Sequence, residues 1–278
     1  MCIFAERIRE YMKNVVLIGF LCLVVVMLLL CLYYYNRWKV LWELEEPRPI
    51  YAVHHQDDDT LRVVMIGDSW IEMHTEQHLD MILREQISKL TLRPVQVKAK
   101  GKGGMRSRGI YDLMFKSRGY GTKPLIVSGA DYCVISAGIN DASANLGTRQ
   151  YCHYMRLIID FLLENEIRPV IIEAPDVNIW KLFGQRSLKN IAIDSLRSIM
   201  SGCGMYHYAE YREALRKSLK DGHLYDSVVF VSMYGLDANG TTMDKSLFLD
   251  DQIHLNRKGY ELLDSCIASA IAGDLHNK

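Results

Sequence analysis

The chain has 278 residues, enough for one large core or two small ones, with 49% hydrophobic and 24% charged residues. Those ordinary globular values exclude collagen-like, mucin-like and wholly disordered chains. Lys plus Arg and Asp plus Glu each number 33, which removes the electrostatic basis for a dedicated nucleic-acid binder.

The first element is apolar. From Val15 to Tyr35 there is no charged residue, and Asn14 and Asn36 bracket the run. At about 1.5 Å per residue, some 20 residues cover a hydrocarbon core of roughly 30 Å. A cleaved signal peptide has a shorter apolar stretch that ends in small residues. Here the run ends in Tyr33, Tyr34, Tyr35, Asn36, Arg37 and Trp38, an interfacial aromatic and basic girdle. The expectation is a tail over 1–14 and an uncleaved transmembrane helix over 15–35. Arg7, Arg9 and Lys13 on one flank balance Arg37, Lys39 and Arg48 on the other, so the positive-inside rule does not orient the helix. The short first tail favours an inside N-terminus, giving a single-pass membrane protein with its bulk on the extracytoplasmic side.

Residues 36–60 read as a linker, with Glu43, Glu45, Glu46, Pro47, Pro49 and the run Asp57, Asp58, Asp59. The adjacent His54 and His55 fit a solvated spacer better than a metal site. Residues 61–278 form the remaining domain. Its apolar runs predict strands over Arg62–Ile66, Val95–Ala99, Asp131–Ala137, Pro169–Ala174 and Val228–Met233. Between and after them, helices are expected over Glu72–Leu90, Ser107–Ser117, Arg149–Glu166, Gln185–Met200 and Asn256–Ala272. Five alternations of strand and helix signify an α/β fold with a five-stranded parallel sheet. Its chemistry should gather at the carboxyl ends of the strands.

The seven cysteines make neither a disulfide framework nor a zinc pattern, since no C-x-x-C occurs and Cys133 falls inside an apolar strand. Four loops carry more specific signals. Gly67-Asp68-Ser69-Trp70 follows the first strand, Gly101-Lys102-Gly103-Gly104 the second, and Gly138-Ile139-Asn140-Asp141 the third. Asp251-Gln252-Ile253-His254 precedes the last helix. Each alone could be a helix cap or a plain turn. Four in this order at the sheet edge are harder to dismiss.

Together these segments resemble the SGNH hydrolases, also called the GDSL family, over nearly all of residues 61–272. The resemblance implies a three-layer, flavodoxin-like α/β/α sandwich preceded by the transmembrane helix. It implies Ser69 as nucleophile, Asp251 and His254 as its triad partners, and an oxyanion hole from Ser69, Gly104 and Asn140. The second block fits most loosely, with Ala99 where family members often have Asn, so Gly103 competes with Gly104. The chemistry is coherent: an imidazole activates the hydroxyl, the carboxylate orients the imidazole, and amides meet the oxyanion. It requires no metal and no cofactor.

Competing motifs fail, since neither G-x-S-x-G, a P-loop, nor a dinucleotide-binding glycine pattern is present. His74 and His78 could share a helix face as metal ligands, although a surface pair is the better reading, and Asp250 lies one residue too far from His254 for the triad pattern. Lys98, Lys100, Lys102, Arg106 and Arg108 crowd the second loop, either as a solvated face or as a wall for an anionic glycan or lipid head group. Trp70 and Trp180 could stack sugars or belong to the core. The leading expectation is an O-acetyl esterase acting on carbohydrate or envelope glycan. Lysophospholipase, thioesterase and O-acyltransferase activities use the same residues, and a catalytically dead, membrane-tethered binding module is the remaining alternative. The partners are therefore an acylated small molecule, glycan or lipid, and the membrane, with no nucleic acid.

Overall fold

The computed structural model of the chain describes residues 2–183, 185–233 and 244–277. It comprises two compact units, Met1–Glu45 and Glu46–Lys278. The first unit is essentially one helix, α1 (Cys2–Trp42). Its segment Arg9–Asn36 has a mean hydropathy of 3.4 and is long and apolar enough to cross a membrane, a test that an N-terminal signal sequence also passes.

The second unit runs β1 (Leu61–Gly67), α2 (Ser69–Glu76), α3 (Asp80–Thr91), β2 (Val95–Gly101), α4 (Ser107–Met114), α5 (Lys123–Val127), β3 (Tyr132–Ser136), α6 (Ile139–Ser143) and α7 (Thr148–Glu164). It continues with β4 (Arg168–Glu173), α8 (Ile179–Phe183), α9 (Leu188–Ser201), α10 (Tyr208–Asp221), β5 (Val229–Ser232) and α11 (Arg257–His276). The five strands are parallel in the order β2-β1-β3-β4-β5. Buried strands of this kind read as unbroken apolar runs, as Val63–Ile66 and Cys133–Ile135 do. The order in which strands are added reverses at β1, with β2 on one side and β3 on the other, and Gly67 aligns with both Gly101 and Ser136. The ends of β1, β2 and β3 thus meet at the topological switch point, where α/β sheets place their ligands.

Four sequence expectations need adjustment. The helix expected over Glu72–Leu90 is two helices, with His78 left-handed at φ 55° between them. The buried stripe of α2 would continue at position 78, but the next buried residue is Leu79, in phase with Leu83 and Ile87. The break resets that phase. The helix α10 was not anticipated, because its buried stripe of Tyr208, Tyr211, Leu215 and Leu219 sits in an otherwise charged segment. The stretch read as a solvated spacer belongs largely to the domain. Tyr51 donates to the Met114 carbonyl at 2.7 Å and packs on Phe115 and Phe161, and the His54 N–H donates to the Val127 carbonyl. Last, His74 and His78 are not a surface pair. His74 is wholly buried and bonded to Asp264, while His78 is exposed.

Candidate active site

Ser69 opens α2 directly after β1. Asp68 caps that helix by accepting from the Trp70 N–H at 3.1 Å, so the first turn is fixed by its own neighbour. The N–H groups of a first turn have no acceptor within the helix, which leaves that of Ser69 available to a ligand. Asp68 is buried and also accepts from the Ser136 hydroxyl at 2.9 Å and the Asn140 amide at 3.3 Å. Burial pushes its carboxyl up to about 6, against the opposing pull of the Trp70 N–H and the Ser136 hydroxyl.

The last block lies on a short loop ahead of α11. Leu249 donates to the His254 carbonyl and Asn256 to the Leu247 carbonyl, closing the loop on itself. Within it, Asp251 Oδ1 accepts the backbone N–H groups of Ile253 and His254, both at 2.9 Å. Its Oδ2 meets His254 Nδ1 at 2.6 Å, and His254 Nε2 meets Ser69 Oγ at 2.9 Å. Burial raises the Asp251 carboxyl, but the His254 backbone, the His254 ring and the Ile253 N–H outweigh it and hold the group below the usual carboxylate range. Ser69, His254 and Asp251 thus form a continuous, half-exposed hydrogen-bonded chain. Asp250 is exposed and stands outside it, its carbonyl accepting from Lys181.

The second and third blocks meet beside this chain. Gly138 starts the third at φ 116°, a conformation that L-residues rarely adopt, and a Cβ there would come within 2.7 Å of the Tyr208 ring. Asn140 follows on α6, donating both amide hydrogens, one to Asp68 and one to the Met105 carbonyl at 3.0 Å. Asp141 accepts the Ser107 hydroxyl at 2.6 Å, tying α6 to α4, and burial pushes its carboxyl up to about 6. The two competing glycines differ in occupancy. The Gly103 N–H donates to Glu72 Oε2 at 2.7 Å, whereas the Gly104 N–H has no hydrogen bond among the described residues, and Gly104 is exposed at φ 71°. Glu72 is a site residue that sequence reasoning missed. Its position one turn after Ser69 was visible, but its partner on another loop was not.

The other candidates sort by contact. Trp70 is buried and its ring N–H donates to the Ile253 carbonyl at 3.1 Å, so it braces the His254 loop and is no stacking platform. Tyr260 donates in turn to the Trp70 carbonyl at 2.9 Å. Trp180 remains exposed, edge-on to Tyr206. In the basic cluster, Lys100 donates to the Gly121 carbonyl, Lys102 lies over the Tyr120 ring and Arg108 over the Tyr154 ring. These three cations are engaged by the domain itself.

Residues 65–262 match the model of the GDSL-like lipase/acylhydrolase family. Among solved structures, the chain is similar to the psychrotrophic esterase EstA from Pseudoalteromonas sp., with 13% identity and a TM-score of 0.54, over 79% of this chain and 100% of that one. It is also similar to a lipase/acylhydrolase from Enterococcus faecalis, with 16% identity and a TM-score of 0.51, over 77% of this chain and 96% of that one. At such identities the structural likeness concerns the fold. No curated protein matches the sequence.

Proposed function

The chain belongs to the GDSL-like lipase/acylhydrolase family and is an ester hydrolase; on that premise we propose that it works through an acyl-enzyme on Ser69, tethered to a membrane by α1. The observation that carries this reading is the chain Ser69–His254–Asp251, with contacts of 2.9 and 2.6 Å. His254 Nε2 takes the Ser69 proton as Oγ bonds to the ester carbonyl carbon, and the carbonyl π pair moves onto oxygen. Asp251 holds the ring tautomer and stabilises the imidazolium. The oxyanion is met by the Ser69 and Gly104 N–H groups and by Asn140, which gives up its bond to Met105 to do so. Collapse expels the alcohol, which leaves with the proton from His254. Water then adds to the acyl carbon, its proton passing to His254, and the acid departs as that proton returns to Ser69.

The substrate in this reading is an acyl ester on a cell-envelope component, an O-acetylated carbohydrate being the leading case. With Trp70 in the core, Trp180 is the aromatic left to meet a sugar. Lipid esters and acyl transfer use the same residues. The N-terminus lies inside and the domain on the extracytoplasmic side.

One experiment addresses both parts. The Pseudoalteromonas esterase was captured inhibited by monoethylphosphonate, and a membrane-impermeant fluorophosphonate should likewise label this domain on intact cells or spheroplasts. Ser69→Ala should abolish labelling and lower turnover by roughly 10³-fold or more. Labelling that survives in Ser69→Ala would move the nucleophile elsewhere. Labelling only after lysis of the inner membrane would reverse the topology.

A further inference from the structure

Helix α9 is amphipathic in the wrong sense for a domain helix. Leu188, Ala192, Leu196 and Ile199 recur every three or four residues and form one stripe. That stripe faces out, with Leu188 86%, Leu196 53% and Ile199 77% exposed. The residue the helix buries is Asp194, 2% exposed, which accepts from the Tyr206 hydroxyl at 2.5 Å and pairs with Arg197 and Arg186. Just upstream, Trp180 is also exposed. Single exposed leucines are ordinary, but a continuous stripe marks a contact surface.

The surroundings select the occupant. Between Val177 and Tyr206 the chain has four basic residues, Lys181, Arg186, Lys189 and Arg197, and Asp194 as its one acid. Arg186 and Arg197 are held by Asp194 and Lys181 by the Asp250 carbonyl, yet the segment stays net positive. An outward apolar stripe on a net-positive segment is the composition of a helix lying in a lipid interface. A second copy docking by two-fold symmetry would set two net-positive segments against each other. The same chain also carries Arg9–Asn36, a segment fit to cross a membrane.

We infer that the outward stripe of α9 docks on an anionic lipid bilayer. The inference rests on the membrane-tethered reading above. Docking also bears on the site, because the Asn178 N–H donates to the Gln252 carbonyl and Lys181 to the Asp250 carbonyl. The segment just upstream of α9 is therefore bonded to the loop that holds Asp251 and His254.

The test uses the full chain, one copy per phospholipid nanodisc, in phosphatidylcholine with or without phosphatidylglycerol. Amide hydrogen exchange over 188–201 should slow by about 10-fold or more in the anionic discs, and less in phosphatidylcholine alone. The double variant Leu188→Ser/Ile199→Ser should lose that protection while hydrolysing p-nitrophenyl acetate as wild type does, since both side chains are exposed. Equal exchange in variant and wild type overturns the inference. So does equal protection with and without phosphatidylglycerol, which removes the anionic preference, or protection confined to discs holding two copies, which assigns the stripe to self-association. Failure of the wild type to enter discs would sink the tether instead, and failure to turn over p-nitrophenyl acetate would sink the hydrolase assignment.

Discussion

Two His–Asp pairs stand in one molecule and differ in almost everything but composition. His254 and Asp251 are 2.6 Å apart, with side chains 23% and 28% exposed, and the far ring nitrogen reaches Ser69. His74 and Asp264 are 2.8 Å apart and wholly buried, joining α2 to α11. There the far nitrogen, Nδ1, and the second carboxylate oxygen have no hydrogen-bond partner among the described residues. The contrast teaches that an imidazole–carboxylate contact is only a means of orienting a ring. Access to solvent and a serine hydroxyl on the other nitrogen leave the first pair free to move a proton, and burial between helices makes the second a structural clamp.

The sharpest way to break this comparison is to remove each imidazole. His254→Ala should lower kcat by about 10³-fold or more and leave Tm close to wild type. His74→Ala should do the reverse, costing about 3 kcal/mol of stability by orphaning a buried carboxyl, with turnover at low temperature retained. Steady-state kinetics beside calorimetry on both variants decides. A loss of kcat in His74→Ala without a fall in Tm would put both pairs in the catalytic apparatus.

Asn140 gives a smaller effect that spans both categories, because its amide already bonds to Asp68 and Met105. Asn140→Ala should lower kcat by roughly 10²–10³-fold with little change in KM. Loss of the donor to buried Asp68 should also cost about 1 kcal/mol. Reduced Tm with kcat preserved would make Asn140 a turn residue only.

The least effect is a difference in pH dependence. Asp251 titrates below the ordinary carboxylate value of about 4, so its stabilisation is present above that value and fades as acid protonates the folded form. Burial raises Asp264, with His74 pulling the other way, so the folded state holds its proton more tightly than the unfolded one. Its contribution is greatest in acid and is lost as pH climbs through the folded value. Tm measured against pH should therefore show the gap between wild type and Asp251→Asn widening from acid to neutral. The gap to Asp264→Asn should shift against wild type over the same range. Parallel slopes would mean that the two carboxylates share one environment.

Much of the site was legible before the fold. Gly67-Asp68-Ser69, Gly138-x-Asn140-Asp141 and Asp251-x-x-His254 depend on local chemistry: a cap two residues from its donor, a left-handed turn, a carboxylate reaching N–H groups two and three residues on. The five strands and the apolar N-terminal helix were legible for the same reason, since hydrophobic period and run length are short-range properties. Tertiary structure decided the rest. Trp70 and Ile253 are 183 residues apart, and His74 and Asp264 are 190 apart. Nothing local distinguishes a stacking Trp from a bracing one, or a metal-ligand His from a buried clamp. The occupation of Gly103 by Glu72, the return of residues 46–60 to the domain and the outward stripe of α9 are likewise settled by what packs against each segment. Sequence by itself determines which turns and periods a chain can form; which side of each ends in protein and which in solvent is decided only when distant segments compete for the same core.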